Sequence, residues 1–386
     1  MVEEEEKQHY SVHNDAVKDD ETPLNNESKQ HKRLDISIAS GASALARDAT
    51  DQNEKQDELR VYEDEAQRLM QTLPKTTMTG TRIGLVNYQG FWCLDSSRDM
   101  ASILSFQTHF RARDTDLIIA GFPKTGNTWL MSLLFLVVNR EKYRINQSPL
   151  LNNHPHELVR RLELQVYGNA LDYPRAHRLN ELPSPRLSHT HLPYVSLPNS
   201  IKDSKCKVIF ISRNPMDTIV SFWYFTLNAI KTVTGENVEY GIEDCFEEFI
   251  QGKVMFGPFF DHVLEYWKQS LEHPEKVLFL KYEDLKDDPI AELKKLAEFV
   301  GMPFSPQEEN EGVIKEIIEF CRINNMKEME GNKSGVINKV FEKKSFFRKG
   351  EVGGWTQYFT PSMVERMNKL MNEKLEGTGL SFKLRP

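Results

Sequence analysis

An apolar strand, a glycine-bearing loop and an apolar helix follow one another in residues 116–130, DLIIAGFPKTGNTWL, and this order constrains the fold most. Residues 117–120 form a short apolar run typical of a strand, which Gly121 and Pro123 end. Residues 128–139 are apolar enough for a well-buried helix. The free N–H groups and the dipole of a helix start favour negative charge. The segment therefore predicts an anion site.

The loop resembles the nucleotide P-loop, but its lysine is displaced. Gly121 and Gly126 have the P-loop spacing, and Thr128 stands at the Ser/Thr position. Asn127 occupies the lysine position, and the lysine comes earlier, as Lys124. A P-loop kinase or NTPase needs that lysine at the β- and γ-phosphates. The pattern therefore argues against Mg-NTP use and favours a different phosphate-bearing donor.

Strands and helices continue to alternate after this segment. Strands are predicted at 186–194, 207–212 and 277–282, and helices at 258–271, 289–300, 314–324 and 361–379. This alternation predicts a single α/β domain with a central, mainly parallel, P-loop-like sheet flanked by helices. Ligands of such sheets bind at the carboxyl ends of the strands. Lys124, His191, Arg213 and Tyr282 all follow or close a predicted strand, so we expect them to meet in one crevice.

Charge and composition argue against several classes of protein, including nucleic-acid-binding, membrane-spanning and secreted proteins. The 386 residues carry a net charge of −8, which argues against general nucleic-acid binding. No apolar run approaches the ~20 residues of a membrane span. The four cysteines lie far apart, which predicts reduced thiols and no metal cage. The acidic N-terminus contradicts a secretory signal, so we expect a cytoplasmic protein. Residues 1–55 are polar and predict a disordered tail, with the folded domain at 56–386.

Several segments leave two interpretations open. The aromatic cluster at 88–92 suits either core packing or one wall of a hydrophobic pocket. The basic segment at 330–350 suits either a solvated loop or a loop that closes over a phosphate. His154 and His156 offer too few ligands for a metal, which favours surface or lid histidines. His189 and His191 are two residues apart on a predicted strand and therefore share a face.

Four sequence blocks, in the order expected, resemble soluble sulfotransferases that use 3′-phosphoadenosine-5′-phosphosulfate (PAPS), and most of all the plant cytosolic branch. The blocks are FPKTGNTW at 122–129, THLP at 190–193, SRNPMDTIVSFW at 212–223 and FFRKGEVGGW at 346–355. The resemblance covers residues 57–386 and implies the sulfotransferase fold with PAPS as co-substrate and no metal.

The resemblance also implies roles for individual residues. His191 is the implied general base, and Lys124 the implied stabiliser of the leaving phosphate. Phe91, Trp92, Phe256 and Phe259 are the expected wall of the acceptor pocket. The implied donor-binding residues are Lys124, Thr125, Gly126, Asn127, Thr128, Trp129, Arg213, Ser221, Tyr282, Arg348, Lys349 and Gly350.

The sequence departs from the family pattern at a few positions. Asn127 replaces the usual loop threonine, which is expected to retune phosphate binding. His189 stands where animal members carry a lysine, and Ile323 where an aromatic residue contacts the adenine. The animal dimer motif maps to residues 356–365, where Thr356 and Pro361 replace its lysine and valine. We therefore expect a monomer or a weak homodimer.

Two functions remain compatible with the resemblance. The first is sulfonate transfer from PAPS to a hydroxyl of a small metabolite, such as a flavonoid, brassinosteroid, hydroxyjasmonate or desulfoglucosinolate. The second is a non-catalytic, sulfotransferase-like protein that binds PAPS or another ligand. Because both Lys124 and His191 are retained, the sequence favours the enzyme.

Overall fold

The computed structural model describes residues 61–168 and 177–385, all within the second of two units, Asn53–Pro386. The predicted tail at 1–55 lies outside these residues. Residues 61–70 are helical (α1), in agreement with the helix predicted at 57–73, whose first residues are not described.

The described residues contain ten strands in three sheets. They are β1 Lys75–Thr77, β2 Gly84–Tyr88, β3 Phe91–Leu94, β4 Leu117–Ala120, β5 Arg160–Arg161, β6 Leu187–Thr190, β7 Lys207–Ser212, β8 Val277–Lys281, β9 Val336–Ile337 and β10 Phe341–Glu342. The strands β1–β3 form an antiparallel sheet, as do β9 and β10.

The helices follow the alternation that the sequence predicts. After α1 they are α2 Ser97–His109, α3 Asn127–Asn139, α4 Pro155–Leu158, α5 His177–Glu181, α6 Asn199–Asp203, α7 Pro215–Thr234, α8 Ile242–Ile250, α9 Phe259–Glu272, α10 Tyr282–Asp287, α11 Pro289–Phe299, α12 Pro306–Glu311, α13 Val313–Phe320, α14 Ile323–Glu328, α15 Glu330–Lys333 and α16 Pro361–Leu375. None of the helices in the described ranges is long and apolar enough to cross a bilayer.

The central sheet has five parallel strands in the order β5-β6-β4-β7-β8. After β4 the chain forms β5 and then β6 on one side of it, and it then crosses to form β7 and β8 on the other side. The strand order therefore reverses beside β4, where ligands of such sheets bind.

Both faces of this sheet are covered, because alternate side chains of each strand point to opposite sides. Ile119, Ile209 and Leu280 pack in one apolar cluster with residues of α3, α11 and α13. Ile118 and Phe210 pack in a second cluster with residues of α2, α7, α8 and α9. The predicted parallel α/β architecture is confirmed.

The aromatic segment at 88–92, for which the sequence predicts neither helix nor strand, belongs to a hairpin of β2 and β3, whose antiparallel register pairs Tyr88 with Phe91. The predicted bounds of two helices were wrong. The helix predicted at 314–324 divides into α13 and α14, because the backbone of Arg322 is extended between them. The last helix ends at Leu375 rather than Gly379, since Glu376 leaves the helical region.

A buried ion pair joins the starts of β4 and β6. Arg186 donates from Nε to Asp116 Oδ1 at 2.7 Å and also contacts Oδ2, and both side chains are 2% exposed. Asp116 further accepts the backbone N–H of Arg113 at 2.8 Å. The pair therefore fixes the end of the sheet opposite to the carboxyl ends of the strands.

We expect Arg186→Met to lower the free energy of unfolding by about 3–5 kcal/mol, because it leaves the Asp116 carboxylate buried and unpaired. Urea denaturation would measure the loss. Lys294→Met is the matched control, since Lys294 pairs with Glu309 at 2.6 Å but both side chains are exposed; it should cost less than about 1 kcal/mol. Equal losses in the two variants would contradict the role of the buried pair.

Candidate functional site

The carboxyl ends of the parallel strands open onto a cavity of about 490 Å³, the first cavity. Lys124, His191, Arg213 and Tyr282 all line it, as the strand order predicts. The other predicted donor-binding residues in its wall are Gly126, Asn127, Thr128, Trp129, Ser221, Arg348 and Gly350.

The loop before α3 depends on a glycine that has no room for a side chain. Gly126 caps α3 with φ +116°, and a Cβ there would lie 2.7 Å from Cδ2 of Tyr282 and 3.0 Å from Cδ1 of Ile211. The close approach brings the first turn of α3 against β7 and the start of α10. The N–H groups of that turn have no acceptor within the helix and can bind an anion.

Two loop side chains brace the loop itself. The Thr125 hydroxyl is buried, and its single proton lies between the backbone oxygens of Phe122 and Ile211, which are 2.7 and 2.9 Å from Oγ1. Asn127 donates from Nδ2 to the Phe122 oxygen at 2.9 Å. The predicted contact between the Thr125 hydroxyl and a bound phosphate is therefore not supported, because this hydroxyl is committed to the backbone and lies outside the cavity wall.

Lys124 occupies a strongly cationic and partly aromatic environment. Its backbone has φ +72°, and its ammonium lies 3.9 Å from the ring centroid of Phe225 and 5.4 Å from that of Phe346. Burial, followed by the charges of Arg348 and Arg213, lowers the pKa of Lys124 to about 7. The site therefore concentrates positive charge, which a bound anion would help to balance.

Arg213 is held by the residues that begin α7. Asn214 caps α7 by accepting the N–H of Asp217 at 2.8 Å, and Asn214 also donates to Glu283 at 2.9 Å. The guanidinium of Arg213 lies 3.5 Å from the Asp217 carboxylate and 4.7 Å from the ring centroid of Tyr282. Its Nη2 donates to the Glu351 oxygen, and its Nε is buried with no hydrogen-bond partner among the described residues.

The basic loop after β10 closes one side of the first cavity. The Tyr282 hydroxyl donates to the Gly350 oxygen at 3.0 Å, which joins this loop to the start of α10. Arg348 is partly buried, and burial, followed by Arg213, lowers its pKa. Lys349 points elsewhere: its ammonium is exposed and contacts Gln357 at 3.2 Å, outside the cavity wall. The predicted donor role of the Lys349 side chain is therefore not supported.

His191 is fixed in a defined orientation beside the loop. Its Nδ1 lies 2.6 Å from the Gly121 oxygen, and because a carbonyl only accepts, Nδ1 carries the proton. Nε2 is therefore left as an acceptor. Burial, followed by the charges of Arg161 and His189, lowers the pKa of His191 well below its usual value. The ring is accordingly neutral at pH 7.

A second cavity, of about 720 Å³, meets the first at His191. The two share Pro123, His156, His191, Phe225 and Phe346 in their walls. The rest of the second cavity is mostly apolar, with side chains from β3, α7, the segment before α8, and the β9–β10 hairpin. His191 therefore borders both cavities.

The four aromatic residues predicted as the pocket wall do not line the second cavity. Phe91 and Phe259 are in the core: Phe259 packs 5.2 Å from Phe122, centroid to centroid, in the first turn of α9. Phe256 is buried behind His191 at 5.6 Å, and Trp92 is pinned by backbone hydrogen bonds to residues 256–257. Phe222, Phe225, Phe341 and Phe346 form the aromatic wall instead.

The preference for surface or lid histidines at 154 and 156 was wrong. His154 is 0% and His156 6% exposed, because Nδ1 of His154 caps α4 and draws both rings under Phe346. Nε2 of His156 lies 3.0 Å from the Thr128 hydroxyl. The described residues contain no group of three or more His, Cys, Asp or Glu suited to a metal ion.

The structure also places His189 and Ile323, two positions at which the sequence departs from the family pattern. His189 is fully buried, with Nδ1 2.8 Å from the Val159 oxygen, and lies outside both cavity walls. The His189 side chain therefore does not reach either cavity, and it cannot take the part of the lysine that animal members carry at this position. Ile323 lines the first cavity at the start of α14.

Two residues of the site went unrecognised in the sequence. Phe225 lies one helical turn after Ser221, and this spacing places both on one face of α7, which could have indicated it. Asp217 accepts the N–H groups of Gly353 and Trp355 at 2.9 and 3.1 Å. No local sequence pattern predicts these contacts, because Asp217 lies far from Gly353 and Trp355 in the sequence.

Comparisons with known proteins agree with this geometry. A family model described as a sulfotransferase domain matches residues 114–379. Cytosolic sulfotransferase 15 of Arabidopsis thaliana is 43% identical over 324 residues, which are 83% of this chain and 88% of that relative. Cytosolic sulfotransferase 5 of the same plant is 42% identical over 322 residues, 83% of this chain and 97% of that relative.

The fold is shared with solved structures. The crystal structure of a mouse sulfotransferase complexed with PAP has a TM-score of 0.59 and 29% sequence identity. The match covers 76% of this chain and 94% of the mouse chain.

We expect Gly126→Ala to destabilise the protein more than Gly235→Ala does. Gly235 also has a positive φ, +75°, but a Cβ there meets nothing within 4 Å. Backbone strain should cost about 1–2 kcal/mol at either position, and the collision with Tyr282 should add about 1–3 kcal/mol at Gly126 alone. Chemical denaturation measures both losses, and equal losses would contradict the close packing of this loop.

Proposed function

Because the chain belongs to the plant cytosolic sulfotransferase family and is a PAPS-dependent sulfotransferase, we propose that PAPS binds in the first cavity and a hydroxylated small metabolite in the second. The observation that carries this proposal is the junction of the two cavities at His191. The sulfonate would pass between them at this point.

The residues of the first cavity fit such a donor. The α3 N–H groups, Lys124 and the Thr128 hydroxyl would bind the 5′-phosphate, since they converge on one side of the cavity. Arg213, with its unpaired Nε, would bind the 3′-phosphate together with Ser221 and Arg348. Trp129 and Tyr282, whose rings meet edge to face at 5.4 Å, would contact the adenine. No metal is required for this charge balance, because cations and helix N–H groups provide it.

His191 would act as the general base. Its Nε2 accepts the proton of the acceptor hydroxyl as the hydroxyl oxygen forms a bond to sulfur. The bond between sulfur and the 5′-phosphate oxygen breaks in the same in-line displacement. Lys124 and the α3 N–H groups stabilise the charge that remains on that oxygen. The Gly121 carbonyl holds Nδ1–H and stabilises the imidazolium that forms.

The wall of the second cavity indicates the chemical class of the acceptor but does not identify the acceptor itself. Its mostly apolar wall fits a small hydrophobic or aromatic body that presents a hydroxyl to His191. We further propose that the protein works in the cytoplasm, as the names of its relatives suggest, and as a monomer or weak homodimer.

The test is sulfonate transfer from PAPS to a mixed extract of plant phenolics and steroids, with sulfonated products detected by mass spectrometry. We expect products with the native protein, and a rate about 10²–10⁴-fold lower for His191→Ala. Donor binding should persist in this variant, because His191 lies beyond the phosphate-binding groups.

His273→Ala is the matched control, since His273 is exposed and lies outside both cavity walls. Full activity in His191→Ala would exclude the proposed base. If PAPS stabilised the native protein against heat but no acceptor reacted, the non-catalytic binding protein would be supported instead.

We expect the affinity for the product nucleotide PAP to fall as the pH rises from 7 to 9. Unliganded Lys124 has a pKa of about 7, lowered by burial, Arg348 and Arg213. A bound phosphate raises this pKa, so binding above pH 7 must take up a proton. The affinity should weaken by about tenfold per pH unit above this pKa, as proton linkage requires.

Titration calorimetry in two buffers of different ionisation enthalpy would measure this proton uptake. Lys124→Arg is the matched variant, because arginine stays charged throughout the range. It should bind PAP without the uptake. The same uptake in both proteins would assign the proton to another group.

A further inference from the structure

Arg161 places a buried positive charge in the wall of the second cavity. It ends β5, and the register with β6 sets it beside His189, two residues before His191. Its side chain is 14% exposed. The wall also contains Arg82, Glu236 and Glu239, but these residues are exposed. Arg161 is therefore the charged group that a ligand deep in this cavity would meet.

Within the described ranges, the ion pairing of Arg161 is incomplete. Its Nε lies 3.5 Å from Glu163 Oε1 and forms no hydrogen bond there. Glu163 Oε1 instead accepts the backbone N–H of His191 at 3.0 Å. A buried guanidinium is costly unless hydrogen bonds satisfy its donors. The side chain therefore retains donor capacity beside the cavity.

We propose that the second cavity selects acceptors that carry a carboxylate or a similar anionic group in addition to the hydroxyl, and that Arg161 binds this group. The inference rests on the proposed function. A planar guanidinium suits a carboxylate, with which it can form two parallel hydrogen bonds. The apolar remainder of the wall would hold the body of the acceptor.

The charge of Arg161 also acts on the general base. Arg161 is, after burial, the main cause that lowers the pKa of His191. An acceptor carboxylate on Arg161 would offset this charge and raise the pKa of His191 toward its usual value. An anionic acceptor would in this way strengthen the base that deprotonates its own hydroxyl.

The test compares acids with their methyl esters, which differ mainly in charge. Suitable probes are para-hydroxyphenylpropanoate and omega-hydroxydodecanoate, each beside its methyl ester, with PAPS as donor. We expect kcat/KM to favour the acids by about tenfold or more, the usual effect of a hydrogen bond to a charged group. Arg161→Gln should bring the acid-to-ester ratio of kcat/KM to about one, and Arg161→Lys should retain part of the preference.

Arg160→Gln is the matched control, because Arg160 is the adjacent residue of β5, is exposed and lies outside both cavity walls. It should keep the native ratio. A native enzyme that prefers the esters, or transfers to neutral acceptors and to neither acid, would overturn the inference and leave the proposed function intact. An equal loss for acid and ester in Arg161→Gln would assign Arg161 to bracing His191 through Glu163. No transfer to any acceptor would overturn the proposed function itself.

Discussion

The first cavity depends on the contacts that the Asp217 carboxylate makes with other segments of the chain. This carboxylate lies in the first turn of α7, fully buried, and accepts the N–H groups of Gly353 and Trp355 from the far end of the chain. The same carboxylate lies 3.5 Å from the guanidinium of Arg213. The Asp217 carboxylate therefore holds together the end of β7, the start of α7 and the segment that follows the basic loop. Its negative charge also offsets part of the repulsion among the positive charges of the first cavity. Because a buried charge without its partners is costly, this arrangement forms as a unit.

The positive charges of the cavity come from segments that are far apart in the sequence. Lys124 follows β4, Arg213 follows β7, and Arg348 belongs to the loop after β10. The parallel register brings the first two to the same edge of the sheet, and the Tyr282–Gly350 hydrogen bond brings the loop to them. Burial and mutual repulsion lower the pKa of Lys124 and Arg348. The fold thus holds positive charges close together, and a bound polyanionic donor would reduce the repulsion between them.

The sequence predicted the central sheet well and the pocket wall poorly, for one physical reason. The strands β4 and β7 are short apolar runs between turn residues, so their bounds follow from local chemistry alone. The convergence of Lys124, His191 and Arg213 follows from parallel topology. In contrast, the burial of Phe259 and His156 depends on what packs against them, and no local pattern distinguishes a core aromatic ring from one that faces a cavity. The same holds for the hydroxyl of Thr125, which looks available in the sequence but binds the backbone.

Phe346 belongs to the walls of both cavities, and this position has a thermodynamic consequence. The ring lies 5.1 Å from that of Phe225 and 4.5 Å from that of His156, both of which also border the two cavities. A shift of the ring when one cavity fills changes the room in the other. Donor and acceptor affinities are then coupled, and by linkage each ligand alters the affinity of the other by the same factor. Phe346 is therefore a side chain through which such coupling would pass from one cavity to the other.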